Sequence, residues 1–268
     1  MRVRSKTATA SALDQGRPDS LPALSLIVPT LNEAANLPTL VRFVERALRG
    51  ISHEILVVDD SSTDGTAEVA EALRCRHPRL RVIRRTRDFG LSAAIIHGFR
   101  EARGAFLGVI DADLQHDPRI LPELIGALSD HDVAIGSRYA FRGRTCGWSW
   151  LREAQSRLAS WVTRRALRIP TRDPLSGFFV LRRSVFEEVE SVLSSRGWKL
   201  LLEILASAPY ARVAEVPFTF RPRRQGQTKM TWRVVAAWGR SLVELRRTFR
   251  CRGLAGTGAP PQQRVALP

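Results

Sequence analysis

Five apolar runs rich in Val, Ile and Leu alternate with segments of helical periodicity between residues 24 and 137. They predict buried strands at Leu24–Thr30, Glu54–Asp60, Leu80–Thr86, Ala105–Leu114 and Asp132–Ser137. The spacing of apolar residues between the strands predicts four helices. Three of them cover Leu37 through Leu48, Phe89–Arg103 and Pro118–Ser129, and the fourth follows a capping turn at Ser61–Thr66. This alternation predicts the α/β class, with a mostly parallel sheet covered by helices on both faces.

Polar side chains gather where the predicted strands end. These ends carry Pro29 with Glu33, Asp59 with Asp60, Asp111 with Asp113, and Arg138. Ligands of parallel sheets bind beyond the carboxyl ends of the strands, so we expect these residues to surround one site. The sequence contains neither a G-x-G-x-x-G fingerprint nor a Walker lysine loop. A dinucleotide dehydrogenase and a P-loop enzyme are therefore both disfavoured.

The fourth apolar run stops on two carboxylates one residue apart, Asp111 and Asp113. If the strand continues through them, side chains at i and i+2 point to the same face. Two such carboxylates suit Mg²⁺ or Mn²⁺, whose remaining ligands are often substrate phosphates. The spacing therefore indicates a nucleotide diphosphate. The alternative is a solvated aspartate-rich turn after a strand, since short motifs also occur by chance.

Charge is distributed unevenly along the 268 residues. The net charge is +16, yet residues 1–137 carry −1 and residues 138–268 carry +17. Such a field indicates an anionic partner, which could be a nucleic acid, a phosphorylated substrate or an acidic membrane face. The alternative is a general arginine bias that only aids solubility.

Two segments have the pattern of basic amphipathic helices. One is Trp150–Ile169, with Leu151, Leu158 and Trp161 on one face, and the other lies near Thr231–Phe249. Such helices, with tryptophan on the apolar side, are typical of a bilayer interface, and the alternative is a helix packed on the domain. The N-terminus lacks the apolar core of a signal peptide, and no run of about 18 apolar residues occurs. We expect a protein that does not cross a membrane, and three scattered cysteines fit a reducing cytosol.

Nine motifs in one order carry a resemblance to a known family. They are PTLNEAANLP, VVDDSSTDGT, GLSAAIIHGF, VIDADLQHDP, IGSRY, Arg152-x-x-x-Ser156, DPLSGFF, GWKLLLEIL and VPFTFRPRRQGQTK. From Leu24 to Lys229 the chain resembles the dolichyl-phosphate or polyprenyl-phosphate mannosyltransferases, which are inverting GT-A glycosyltransferases. The resemblance implies a GT-A, Rossmann-like sheet. It also implies transfer of mannose from GDP-mannose to a polyprenyl monophosphate.

The resemblance also implies roles for individual residues. A nucleoside pocket would be shaped by Pro29, Leu31, Glu33, Val58 and Asp60, and the nucleotide-sugar site would continue through Asp111, Ala112 and Asp113. A metal ion, Mg²⁺ or Mn²⁺, would be held by Asp111, Asp113 and Gln115. The acceptor phosphate would be bound by Arg138, Arg152 and Ser156, and the donor diphosphate by Arg223 and Lys229. Catalytic roles fall to Asp113, Arg138, Arg223 and Lys229, because guanidinium forks and ammonium groups suit phosphate oxygens.

Composition, the amphipathic pattern and the resemblance together give the expected domain boundaries and partners. We expect a disordered lead over residues 1–21, a GT-A domain over 22–229, an interfacial helix over 230–252 and a disordered tail over 253–268. The expected partners are GDP-mannose, a polyprenyl phosphate lipid, the membrane surface and a membrane-anchoring protein, and no nucleic acid is expected. The expected location is the cytoplasmic face of the membrane. We assign no chemistry to His97 or His116, and interpret Asp173 as a buried capping or salt-bridged residue.

Departures from the family pattern leave alternatives open. Leu31 stands where the family commonly has an aromatic residue, Ser61 where it has glycine, and Gln227-Thr228 where it has Glu-Ser. The choice of base is therefore open, and a UDP-sugar-dependent polyprenyl-phosphate glucosyl- or N-acetylglucosaminyltransferase is the alternative enzyme. Alternatives of another class are a nucleic-acid-binding protein that uses the basic half and a catalytically silent membrane scaffold.

Overall fold

A seven-stranded, mostly parallel sheet is the centre of the computed structural model, which describes residues 21–195, 199–209 and 211–222. The strand order is β3-β2-β1-β4-β7-β5-β8, and only β7 runs antiparallel to its neighbours. The strands are β1 Leu24–Thr30, β2 His53–Asp59, β3 Leu80–Arg84, β4 Phe106–Val109, β5 Val133–Ser137, β6 Arg144–Thr145, β7 Phe179–Arg182, β8 Val213–Pro217 and β9 Thr219–Phe220. β6 and β9 form a separate two-stranded parallel sheet.

Helices fill the connections between the strands. They are α1 Leu37–Ala47, α2 Thr66–Arg74, α3 Leu91–Glu101, α4 Leu121–Ala127, α5 Trp150–Leu167, α6 Arg183–Val189 and α7 Leu200–Ser207, with 3₁₀ turns at Pro118–Ile120 and Glu190–Val192. The α/β class, the mostly parallel sheet and the presence of five successive strands from residue 24 to residue 137 are confirmed. Within the described ranges, no helix combines the length and the hydropathy needed to span a bilayer.

The prediction for β4 was wrong at its carboxyl end. The strand was expected to reach Leu114 but ends at Val109, five residues earlier. The last ladder bond beyond it runs from the Ile110 amide to the Ile27 carbonyl, at 3.1 Å. The chain then turns, because Asp113 Oδ1 accepts the Gln115 amide at 3.1 Å and Leu114 has φ +62°. Asp111 and Asp113 therefore lie in a loop, and the strand geometry assumed for them does not apply.

Other boundaries differ by smaller amounts. β3 ends at Arg84 rather than Thr86, and α3 begins at Leu91 rather than Phe89. The helix predicted from Pro118 starts as a 3₁₀ turn before α4, because Pro122 has no amide hydrogen to donate to the Pro118 carbonyl, four residues earlier.

Strand β7 was missed from the sequence. It lies between β4 and β5, with Val109 opposite Phe179 and Ile135 also opposite Phe179. Because β7 is antiparallel, its first residue lies at the carboxyl edge of the parallel strands. The preceding residues 173–178 are thus delivered to the edge where Asp111 and Arg138 lie.

The predicted C-terminal parts lie outside the described residues. These are the interfacial helix over 230–252 and the tail over 253–268, and the lead over 1–21 is described only at Leu21. The domain boundaries drawn from the sequence stay predictions.

Candidate active site

Left-handed backbone marks three of the loops at the carboxyl edge. Asn32 after β1, Ser61 after β2 and Leu114 after β4 have φ values of 61°, 59° and 62°. Non-glycine residues avoid this region, and strain of this kind clusters at functional sites. Ser61 is held there by its hydroxyl, which donates to the Arg85 carbonyl at 2.7 Å. Glycine takes such a positive φ without steric cost, so it is the residue that would replace Ser61 with least strain.

The residues expected to shape a nucleoside pocket divide by burial. Pro29 and Val58 face each other in register within β1 and β2, and both are buried. Leu31 is 45% exposed, and Glu33 accepts the Asn36 side-chain amide at 2.8 Å. Pro29 and Val58 therefore belong to the packed sheet, while Leu31 and Glu33 lie nearer the surface, and the assignment of all four to a nucleoside pocket stays a prediction.

Asp60 holds the loop before α3. Its Oδ1 accepts from the Arg85 guanidinium, and its Oδ2 accepts the Gly90 amide at 2.6 Å. Arg85 also donates to the carbonyl of Asp88. The carboxylate predicted to touch the nucleoside therefore also fixes residues 85–90 against β2.

Asp111, Asp113 and Gln115 lie together in the loop after β4. Asp111 has a side chain 35% exposed, whereas Asp113 is 4% exposed and Gln115 8%. The Gln115 side-chain amide donates to the Arg221 carbonyl at 2.9 Å, and the Arg221 amide donates to the Gln115 carbonyl at 3.0 Å. These bonds join the loop to the segment that leads into the basic motif at residues 221–229.

This loop fits a hard divalent cation. Two carboxylates and an amide oxygen are the donor types that Mg²⁺ and Mn²⁺ take. Space beside Asp111 depends on glycine, because a Cβ built on Gly177 would lie 2.9 Å from Asp111 Oδ2. Among the described residues, no three His, Cys, Asp or Glu side chains form a metal-binding group. A cation here would therefore complete its shell with Gln115, water or substrate phosphate.

His116 is buried under this loop among aromatic rings. Its ring centroid lies 5.3 Å from Phe178, 5.6 Å from Phe218 and 5.4 Å from Phe220. Burial lowers the pKa of His116 to about 4, so the imidazole is neutral at pH 7. Its Nδ1 is buried without a hydrogen-bond partner among the described residues and lies 3.8 Å from Asp111 Oδ2.

Arg138 is paired with Asp173 at the end of β5. Its Nε and Nη2 donate to Oδ2 and Oδ1 at 2.8 and 2.6 Å, and its backbone amide donates to Oδ2 at 3.0 Å. The Arg138 and Asp173 side chains are 11% and 0% exposed. Burial opposes the charge, but Asp173 raises the pKa of Arg138 above its ordinary value. The interpretation of Asp173 as a buried salt-bridged residue is confirmed.

The three predicted acceptor residues are brought together by two aromatic side chains. The Tyr139 hydroxyl donates to Ser156 Oγ at 2.7 Å. The guanidinium groups of Arg138 and Arg152 lie 5.7 and 4.3 Å from the ring centroid of Trp148. Both guanidinium groups are within cation–π distance of the same ring, which holds the two cations near each other. Tyr139 and Trp148 were not singled out from the sequence.

Lys199 is a site residue that sequence reasoning missed. It directly precedes α7, and its ammonium donates to the Leu175 carbonyl at 2.7 Å. Burial lowers the pKa of Lys199 to about 8, and its charge interacts with Arg138, Asp111 and Asp173. The sequence feature that could have identified Lys199 is in the motif GWKLLLEIL, where a single lysine precedes a run of leucines.

Two predicted phosphate-binding residues, Arg223 and Lys229, lie outside the described residues. The described chain reaches Pro222, directly after the backbone pairing of Arg221 with Gln115. Their assignment to the donor diphosphate stays a prediction.

Comparison with known proteins gives a family and named relatives. The model of glycosyl transferase family 2 matches residues 25–190. A dolichol-phosphate mannosyltransferase of Pyrococcus furiosus is 45% identical over 225 residues, covering 83% of this chain but 63% of that protein. The enzyme of the same name from Saccharomyces cerevisiae is 38% identical over 234 residues, or 82% of this chain and 86% of that protein. A polyprenol monophosphomannose synthase of Mycolicibacterium smegmatis is 37% identical over 214 residues, covering 77% and 80%.

Solved structures of similar fold include glucosyl-3-phosphoglycerate synthase from Mycobacterium tuberculosis. Its complex with Mn²⁺, UDP and glucosyl-3-phosphoglycerate gives a TM-score of 0.63 at 19% identity, covering 90% of this chain and 82% of that one. Its complex with Mg²⁺ and UDP gives a TM-score of 0.61, also at 19% identity, covering 90% and 81%. At this identity the likeness concerns the fold, and the GT-A-like architecture is confirmed.

Proposed function

The chain belongs to glycosyl transferase family 2 and is a glycosyltransferase, and from that premise we propose that it transfers mannose from GDP-mannose to a polyprenyl monophosphate. The products would be polyprenyl-phosphate-mannose and GDP, with inversion at the anomeric carbon. Relatives at 36–45% identity named for dolichol-phosphate or polyprenol mannosyl transfer support this donor sugar and this acceptor class.

The main structural support for this proposal is that the carboxylate loop lies next to the arginine cluster. Arg138 lies close enough to interact electrostatically with Asp111, and it shares the Trp148 ring with Arg152. A carboxylate loop suited to a metal diphosphate thus adjoins a set of guanidinium and hydroxyl groups suited to a second phosphate. Two phosphates held side by side are what transfer to a phosphate acceptor requires.

The chemistry needs no general base. The second pKa of a phosphate monoester is about 6, so the acceptor is already an anionic nucleophile at neutral pH. Neutral, buried His116 is consistent with a site that works by positioning and charge. Arg138, Arg152 and Ser156 would orient the acceptor oxygen toward the anomeric carbon, and Arg223 and Lys229 would neutralise the departing diphosphate.

A divalent cation held by Asp111, Asp113 and Gln115 would supply charge neutralisation at the diphosphate. The similar fold bound to Mn²⁺ or Mg²⁺ supports the use of either ion. Asp113 is held in place by the Gln115 amide, and Gln115 by the Arg221 carbonyl.

Helix α5 supports work at a membrane surface. Trp150, Leu151, Leu158 and Trp161 form an outward apolar stripe, which is 81%, 52%, 60% and 57% exposed. The opposite face, at Ser160 and Thr163, is buried. Within the part of the chain that the structure describes, the apolar residues of this face are exposed rather than packed against the sheet. Because α5 also carries Arg152 and Ser156, we place the acceptor site at the bilayer interface. The cytoplasmic location and an anchoring protein stay predictions.

The test of the proposed function is a transfer assay with labelled GDP-mannose, a polyprenyl phosphate and Mg²⁺ or Mn²⁺. We expect a lipid-soluble mannosyl product. We also expect Asp113→Asn to reduce its formation by about 100-fold or more, because the substitution removes the negative charge of a metal ligand.

Asp130→Asn is the matched control, because Asp130 is an exposed carboxylate that accepts a hydrogen bond from its neighbour Ser129. It should leave turnover unchanged. UDP-glucose and UDP-N-acetylglucosamine serve as competing donors, and product from them in place of GDP-mannose would contradict the assignment. Full activity of Asp113→Asn in the presence of a chelator would contradict the metal site.

A further inference from the structure

A cavity of about 600 Å³ lies between α1 and the 3₁₀ turn at Pro118–Ile120. Its walls come from the second half of α1, from residues 114–119 and from residues 221–222. Asp111, Asp113 and Arg138 are not among the described residues that line it, so it is distinct from the site proposed for the two phosphates. Cavities of about 300–1,000 Å³ are usual for small-molecule sites.

The walls of this cavity are largely apolar. Phe43 and Ala47 lie one turn apart on α1 and are half-buried. Leu114 and Pro118 line the cavity from the loop after β4, and Pro222 lines it from the segment after β9. An apolar occupant would remove this surface from water, which is favourable.

Positive charge surrounds the same cavity. The described residues that line it include three exposed arginines, Arg46, Arg119 and Arg221, and one carboxylate, Asp117. Hydrogen bonds from Arg119 hold the pKa of the Asp117 carboxyl below its ordinary value, so this carboxyl is ionised at neutral pH. His116 also lines the cavity and is neutral at pH 7. Three guanidinium groups against one carboxylate leave a net charge of +2.

The arginines differ in how far that carboxylate engages them. Arg119 Nε lies 2.9 Å from Asp117 Oδ1, and Arg221 Nη2 lies 3.9 Å from Asp117 Oδ2. Asp117 thus pairs with these two arginines, whereas Arg46 is an exposed arginine on α1. A guanidinium group matches a carboxylate through two parallel hydrogen bonds. An apolar cavity with a guanidinium group at its surface fits an alkyl chain that ends in a carboxylate.

We propose that this cavity binds a fatty-acid anion, with its alkyl chain against Phe43, Leu114 and Pro222 and its carboxylate at Arg46. Inorganic phosphate would use the charge but not the apolar walls, and a fatty alcohol would use the walls but not the charge. The inference goes beyond the transfer reaction and does not rest on it, because neither donor nor acceptor takes part.

The experiment is calorimetry of the full chain with decanoate, decanol and acetate, each below the concentration at which it aggregates. We expect one decanoate to bind per chain, decanol to bind about 3- to 10-fold more weakly, and acetate to give no measurable binding. Arg46→Gln should weaken decanoate binding by about 3- to 10-fold, because an exposed charged contact is lost. It should leave decanol binding within about twofold of wild type.

A second variant, Ala47→Trp, tests the cavity itself. The larger side chain would occupy space beside Phe43, so decanoate and decanol should both lose measurable binding. The melting temperature reports whether this variant is folded. Arg46→Gln alters an exposed side chain, so it tests the proposal even if Ala47→Trp does not fold.

The matched control is Arg49→Gln. Arg49 is an exposed arginine just after α1 and is not among the described residues that line the cavity. It should leave decanoate binding within about twofold of wild type. Arg152→Gln and Leu158→Glu, which alter the proposed acceptor site and the apolar stripe of α5, should also leave it unchanged.

Three outcomes overturn the proposal. The first is that the wild-type chain shows no saturable decanoate binding. The second is that Arg46→Gln and a folded Ala47→Trp both bind decanoate as the wild-type chain does. The third is that Arg152→Gln or Leu158→Glu abolishes the binding, which would place decanoate at the acceptor site or on α5.

Discussion

Single residues of this site could be predicted from the sequence where their residue type indicates a function, but not where their role depends on tertiary contacts. Asp111 and Asp113 were recognisable as adjacent carboxylates, and Arg138 as a strand-end cation. The hydrogen-bond partners of site residues lie far away along the sequence. Asp173 lies 35 residues from Arg138, and Leu175 lies 24 residues from Lys199. Asp60 was expected at the nucleoside, yet its carboxylate also secures Arg85 and Gly90. Sequence spacing carries no information about such contacts.

His116 should make the stability of the fold depend on acidity. Burial lowers its pKa from 6.5 to about 4, so between these values the unfolded chain binds more protons than the folded chain. The contribution of His116 to the free energy of unfolding is therefore fully present above about pH 6.5 and is lost as the pH falls toward 4. The shift corresponds to a loss of about 2 kcal/mol between pH 7 and pH 4.5.

The measurement is urea unfolding at pH 7 and pH 4.5. His116→Phe keeps an aromatic ring among Phe178, Phe218 and Phe220 and should reduce the acid-induced loss by about 2 kcal/mol relative to wild type. His97→Gln, which alters a histidine on α3, should keep the wild-type loss. An identical acid-induced loss in His116→Phe and wild type would show that another group is responsible.

At the level of elements, apolar periodicity predicted the parallel strands β1 to β5 but missed the antiparallel strand β7, where strands and helices no longer alternate regularly. β1 was predicted with its observed bounds, because its seven residues are buried without interruption. β7 has four residues and runs antiparallel between two longer-range neighbours, so no local pattern distinguishes it. β4 was predicted too long because Ile110 and Ala112 continue the apolar run of the sequence; the structure buries both of them, but in the turn beyond the strand. Burial alone does not define a strand.

Helix α3 offers a direct test of packing against the sheet. A Cβ on Gly98 would lie 2.8 Å from two side-chain carbons of Ile27 and 3.2 Å from Val58 Cγ2. Gly98→Ala should therefore lower the free energy of unfolding by about 1–3 kcal/mol through overpacking. Thermal and urea unfolding measure the change.

Gly126 in α4 is the matched control, because a Cβ there meets nothing within 4 Å. Gly126→Ala should raise the free energy of unfolding by about 0.5–1 kcal/mol, the usual helical preference for alanine over glycine. If both substitutions stabilise the chain, α3 can move away from β1, and the close approach at Gly98 does not constrain the fold.

At the level of the whole molecule, charge and exposed apolar surface point to the same partner. The excess of +17 falls on residues 138–268, which include α5 and its apolar stripe. Tryptophan and leucine exposed beside arginines are the combination that binds an anionic bilayer interface. Nucleic acid would use the charge but not the stripe.

The stripe is tested with vesicles of equal parts phosphatidylcholine and phosphatidylglycerol. Leu158→Glu and Trp161→Glu should each weaken co-sedimentation of the full chain by about 10-fold or more, since each removes a side chain worth about 1.5–3 kcal/mol when buried in an apolar phase. Binding should also fall as salt rises, because screening weakens the arginine contribution. Turnover with detergent-solubilised acceptor should stay near the wild-type rate, since neither side chain belongs to the proposed phosphate site.

Val192→Glu is the control for the vesicle experiment, because Val192 is an apolar residue, 41% exposed, in the 3₁₀ turn Glu190–Val192 rather than on α5. It should bind vesicles as the wild-type chain does. Equal weakening by Val192→Glu would mean that any added negative charge repels the vesicle, and the role of the stripe would fail. If Leu158→Glu and Trp161→Glu both bind vesicles as well as the wild-type chain does, another part of the chain binds the membrane. The α5 stripe would then be available for a protein partner.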